Sequence, residues 1–78
     1  MAMRVLRYSI AIESEILSLV RKLGAERIEI IAGDDLDEYI MRIEGRRIPA
    51  EKDLAVIKRS QHLEEDGTVI ESFKIVDF

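Results

Sequence analysis

The stretch Glu26 to Ile48 constrains the fold of this chain more than any other. Arg27-Ile28-Glu29-Ile30-Ile31 alternates charged and apolar residues before thickening into Ile31-Ala32. Glu38-Tyr39-Ile40-Met41-Arg42-Ile43-Glu44 alternates as well, placing Tyr39, Met41 and Ile43 on one face and Ile40, Arg42, Glu44 and Arg46 on the other. A period of two residues marks a strand with one buried side. Between the runs lies Gly33-Asp34-Asp35-Leu36-Asp37, whose Gly and Asp residues suit turns and fit strands poorly. The stretch predicts a β-hairpin.

The segments on either side alternate between strand and helix signals. Arg4 to Ile12 reads as a first strand, with Leu6, Tyr8, Ile10 and Ile12 on one face and Val5, Arg7, Ser9 and Ala11 on the other. Ile16, Leu19, Val20 and Leu23 then recur at helical spacing, widened by Leu17. Ser14 is the expected N-cap, Glu15 suits the positive helix start, Arg21 and Lys22 suit its end, and Gly24 is the expected stop. After the hairpin, Ile48-Pro49-Ala50-Glu51-Lys52-Asp53 reads as a second helix start, because proline is favoured at the first helical position and acids favour the first turn. Ala50, Leu54, Ile57 and Gln61 make its apolar stripe, and Lys58, Arg59 and His62 lie near its end. Leu54-Ala55-Val56-Ile57 taken alone could also be a short buried strand; Pro49 and the segment length favour helix. Glu64-Glu65-Asp66-Gly67 reads as a turn, and Thr68 to Phe78 as a last strand with Val69, Phe73 and Ile75 inward.

The resulting order is β-α-β-β-α-β. The expected fold class is α+β, the ferredoxin-like split-βαβ pattern: a four-stranded antiparallel sheet with two helices on one face and the other face open. Right-handed crossovers would put the first and third strands side by side in the middle. The runner-up is an α+β domain whose first strand is short or frayed. With 78 residues the chain is expected to form a single domain, 1–78. So short a chain buries only about 60–65% of its unfolded surface, and with no cysteine it has no disulfide or thiolate metal site to staple it. Association is the remaining common route to stability.

Composition narrows the function classes. The net charge of −4 argues against a general nucleic-acid coat, which needs excess Lys and Arg. Apolar runs fall far short of a bilayer span, and the N-terminus lacks a signal-peptide pattern, so a cytoplasmic location and no membrane association are expected. Absent asparagine and cysteine, one glutamine, and abundant Ile, Glu, Lys and Arg give a thermophile-like composition.

The open sheet face is the expected functional surface. Its apolar members, Val5, Ile31, Ile40, Val76 and Phe78, are candidates for self-association or a protein partner, since apolar residues on a nominally solvated face imply a cover. Its arginines Arg7, Arg42 and Arg46, with Arg47 beyond the third strand, are candidates for binding an anion or nucleic acid. Sheets that bind single strands stack bases on aromatics, and here Tyr39 has inward parity. The acids Asp34, Asp35, Asp37 and Glu38 do not match an EF-hand loop, and as turn residues they suit bonding to their own backbone. His62 is the sole histidine, no serine sits in a nucleophile elbow, and the four glycines form no phosphate-binding loop. The chain is therefore expected to be a non-catalytic, self-associating interaction or regulatory module without cofactor, the alternative being a nucleic-acid binder using the arginines.

Overall fold

The computed structural model describes residues 1–58, 62–63, 69–70 and 73–76. The elements are β1 (Ala2–Ser9), a 3₁₀ turn (Ile10–Ile12), α1 (Glu13–Lys22), β2 (Arg27–Ala32), β3 (Glu38–Gly45), α2 (Glu51–Lys58), β4 (His62–Leu63), β5 (Val69–Ile70) and β6 (Phe73–Ile75). The chain is α+β. Its main sheet is four-stranded and antiparallel in the order β2-β3-β1-β6, and β4 and β5 pair as a separate two-stranded sheet. No described helix is long and apolar enough to cross a membrane.

The hairpin forms where alternation placed it. Gly33 N–H closes onto the Glu38 carbonyl at 2.8 Å, and a Cβ on Gly33 would sit 2.8 Å from that same oxygen, so the turn needs glycine for close approach. In register, Arg27 faces Glu44, Glu29 faces Arg42 and Ile31 faces Ile40. β1 then runs along all of β3, from Ala2 opposite Gly45 to Ser9 opposite Glu38.

The first strand is shorter than alternation suggested. It ends at Ser9, whose side-chain oxygen accepts from Ala11 N–H at 3.4 Å and starts the 3₁₀ turn. Ile10, expected inward, is consequently exposed, while Ile12 is buried. Ser14 is not an N-cap: α1 begins at Glu13 directly from the turn, without a side-chain cap. The end of α1 follows expectation. Gly24 has φ +84°, its N–H donates to Arg21 O, and Ala25 N–H donates to Val20 O, which together satisfy the last carbonyls as a Schellman motif.

Residues 54–57 are helical. Pro49 is not the first helical residue but lies two positions before it. The helix is secured instead by Asp53, whose carboxylate accepts Ala50 N–H at 2.9 Å while Ala50 O accepts Leu54 N–H, the acid-to-backbone half of a capping box. The expected continuous last strand is broken. Only Phe73–Ile75 joins the main sheet, whereas Val69, expected to share a strand with Phe73, pairs with Leu63 in the second sheet. His62 accordingly belongs to a strand and not to a helix end. Arg59, Gln61, the turn at 64–67 and Phe78 lie outside the described residues.

Leu6 and Tyr8 of β1, Met41 and Ile43 of β3, Phe73 of β6, Ile12 of the turn, Ile16 and Val20 of α1, and Leu54 and Ile57 of α2 form one buried cluster. Both helices therefore pack on the sheet side that carries Leu6 and Met41. Tyr8 and Tyr39 face each other across β1 and β3, ring centroids 6.3 Å apart and tilted by 32°, a favourable offset geometry.

Candidate functional site

The sheet side away from the helices carries the alternate residues of each strand, and the register sorts them into rows. One row is Ile31, Ile40, Arg7 and Lys74 across β2, β3, β1 and β6. The next is Glu29, Arg42 and Val5, with Val76 N–H bonded to Val5 O beyond. The third is Arg27, Glu44 and Met3. Met3, Val5, Glu29, Ile31, Ile40 and Arg42 together line a shallow depression of about 350 Å³. Four of the expected self-association residues thus meet on one face. Val5 is 7% exposed and forms its floor, Ile40 and Val76 are half-buried, and Ile31 is 61% exposed at its rim. Phe78, the fifth, lies outside the described residues.

The arginines do not gather into a cationic surface. Arg7 lies beside Glu38 (Nε to Oε1, 3.4 Å, without hydrogen-bond alignment) and Asp34 (4.0 Å). Arg42 pairs with Glu44 at 2.9 Å. Arg46 and Arg47 follow the end of β3, where strand parity no longer applies; Arg46 lies 4.0 Å from Glu26, and Arg47 lies 4.0 Å from Asp53 on α2. Only Arg7 and Arg42 of the four share the open face, and each of the four has a carboxylate neighbour. The described aromatics Tyr8, Tyr39 and Phe73 belong to the core side, leaving no stacking platform among the described residues of the open face.

The acidic hairpin turn acts structurally. Asp34 and Glu38 face Arg7, Asp35 O accepts Glu38 N–H, and Asp37 O accepts Ile10 N–H at 2.9 Å. Among the described residues no group of three His, Asp or Glu side chains converges to hold a metal ion. One buried polar contact escaped sequence reasoning. Tyr8, 1% exposed, donates its hydroxyl to Glu13 Oε1 at 2.5 Å. Burial first, then this hydrogen bond and the Glu13 charge, push the phenol well above its ordinary value. The pair ties the strand to the start of α1 beneath the surface, which is a structural role.

First and third strands in the middle of the sheet imply an edge β2; the exposure of that edge is what the sequence does not show. β2 ends the sheet order, and of its six residues only Ile28 is half-buried while the rest are exposed. Ile30 has core-side parity, opposite Met41, yet is 41% exposed, so the core covers Ile28 but not the second half of this strand. The opposite edge, β6, is three residues long, a length too short to invite pairing. A further groove of about 600 Å³ runs between the helices, bordered by Ser14, Ser18, Leu19, Lys22, Val56 and Ile57. No family model, curated protein or solved structure matches this chain.

Proposed function

We propose that this chain is a small non-catalytic interaction module that associates with copies of itself through its sheet, at the corner where β2 meets β3. The observation that carries this reading is the uncovered β2: Ile30 is 41% and Ile31 61% exposed, on opposite sides of a strand that has no neighbour on its outer edge among the described residues. Exposed edge strands with apolar residues are templates for pairing unless blunted by proline, brevity or charge. β2 has no proline, runs for six residues, and carries its two charges only in its first half. The strand order supports reading the chain as the ferredoxin-like arrangement, with β4 and β5 as an added hairpin before the last strand. A cytoplasmic setting fits the same reading. The nucleic-acid alternative is weakened by the carboxylate beside each candidate arginine.

Sedimentation equilibrium and light scattering test the proposal. The wild-type chain is expected to show mass above the monomer as concentration rises to about 1 mM, where an association free energy of only about −4 kcal/mol registers. Glu29→Arg, at an exposed position of the same strand, should shift the equilibrium to monomer with its circular-dichroism melt preserved. A wild-type monomer throughout that range overturns the proposal.

A further inference from the structure

We infer that two copies join edge to edge through β2, in antiparallel register centred on Ile28, making one eight-stranded sheet. This rests on the self-association reading and specifies its geometry. The hairpin closes with Gly33 N–H on Glu38 O, so by the alternation of antiparallel bonding Arg27, Glu29 and Ile31 bond inward to β3. Ile28, Ile30 and Ala32 therefore point their backbone groups outward, away from the sheet.

A two-fold axis normal to a sheet keeps each face on its own side, so the axis must pass through a residue and pair odd positions with odd, even with even. Three registers centre on Ile28, Glu29 and Ile30; the first pairs only Arg27 to Glu29 of β2 with the second copy, because Glu26 N–H is already bonded to Glu44 O. Centring on Glu29 sets two like charges directly against each other, which is destabilising. Centring on Ile30 sets Glu29 against Ile31 of the second copy, with no charge matched. Centring on Ile28 sets Arg27 against Glu29 of the second copy, and Glu29 against its Arg27. The neighbouring strands extend that match. Arg42 flanks Glu29, and Glu44 flanks Arg27, so each row across the dimer reads Arg42, Glu29, then Arg27 and Glu44 of the second copy. The signs alternate through four positions, twice, related by symmetry. Ile28 meets itself at the axis and exchanges both of its outward backbone bonds. Arg27 and Glu29, which pair with each other at 2.7 Å within one copy, also face their opposite charges in a second copy of this chain.

The test is a pair of charge reversals at exposed positions. Arg27→Glu gives a copy with two acids on this edge, and Glu29→Arg gives one with two bases. Each alone sets like charges across the axis and should associate at least about tenfold more weakly than wild type. Mixed in equal amounts they should form a heterodimer comparable to wild type, because both cross-copy pairs are restored and the total charge equals that of two wild-type copies. The cysteine-free chain allows a second readout. Ile28→Cys should oxidise to a covalent dimer, its Cα atoms lying about 5.5 Å apart in a bonded pair. Ile30→Cys should not, since the two positions are offset by four residues, about 13 Å. Wild-type association with a monomeric mixture, or with the Ile30→Cys variant cross-linking and the Ile28→Cys variant not, overturns this register and leaves the self-association reading standing. A monomeric wild type overturns both.

Discussion

Replacing Tyr8 by Phe removes one hydroxyl and tests the buried contact that ties β1 to α1. The ring is 1% exposed and its hydroxyl donates to the Glu13 carboxylate at 2.5 Å. A hydrogen bond to a charged group contributes about 1.5–3 kcal/mol net. Glu13 is half-buried, so on losing its donor it regains water, and the low end, about 1.5 kcal/mol, is expected at neutral pH. In a domain of this size that lowers the melting temperature by about 6–12 °C. The pH dependence adds a second signature. Burial, then the Glu13 hydrogen bond, then the charges of Glu13 and Tyr39 hold the folded phenol well above its ordinary value. The unfolded chain releases this proton first, once pH passes about 10. The stabilisation is therefore full below that pH and is lost as pH rises toward the folded value, at a limiting slope of about 1.4 kcal/mol per pH unit. Urea unfolding of both proteins between neutral pH and pH 11 measures it: the wild type should lose stability above pH 10 faster than Tyr8→Phe, so the gap between them narrows. A Phe variant as stable as wild type at pH 7, or parallel decline above pH 10, would refute the reasoning.

Further substitutions at four positions probe the elements that position the sheet. Leu54 is fully buried and joins α2 to the core, so Leu54→Ala should cost about 2–5 kcal/mol, read as a lower urea midpoint at unchanged slope. Gly33→Ala would place a methyl 2.8 Å from the Glu38 carbonyl, whereas at Gly45 the nearest atoms lie 3.4 Å away; thermal melts should show a loss of about 1–3 kcal/mol for the first and a smaller one for the second. Asp53→Ala removes the acceptor of Ala50 N–H and should cost about 0.5–2 kcal/mol, with the Asn variant retaining most of it.

What could be read in the sequence was what depends on neighbours a few residues apart. The hairpin, α1 with its Gly24 stop, and the inward set Leu6, Tyr8, Met41 and Ile43 follow from period and punctuation. The errors arose where a local competitor or a distant partner decides. Ser9 captured Ala11 N–H and ended the strand three residues before alternation would have. Asp53, not Pro49, organised the start of α2. The arginine candidates looked cationic because their acids are remote in sequence. Arg7 meets Asp34 and Glu38 only once β1 lies against β3, and Arg47 meets Asp53 only once α2 has formed. The last strand was misjudged because Val69 and Phe73 share parity, while pairing assigns them to different sheets.

The exposure of β2 makes a final prediction that needs no substitution. Its amides should divide by position. Glu29 and Ile31 donate inward to β3 and should exchange hydrogen slowly, whereas Ile28, Ile30 and Ala32, facing outward, should exchange fast despite lying in a strand, because no partner among the described residues holds them. In dilute solution hydrogen exchange followed residue by residue should therefore alternate along β2 as its side chains do. As concentration rises and copies pair, Ile28 should slow first, since at the axis it both donates to and accepts from its own counterpart. Side chains stacked face to face would leave the Ile28 amide unchanged while covering Ile31, and edge pairing would do the reverse in the backbone. Uniform protection along β2 in dilute solution, or an Ile28 amide indifferent to association, would refute the placement of these bonds.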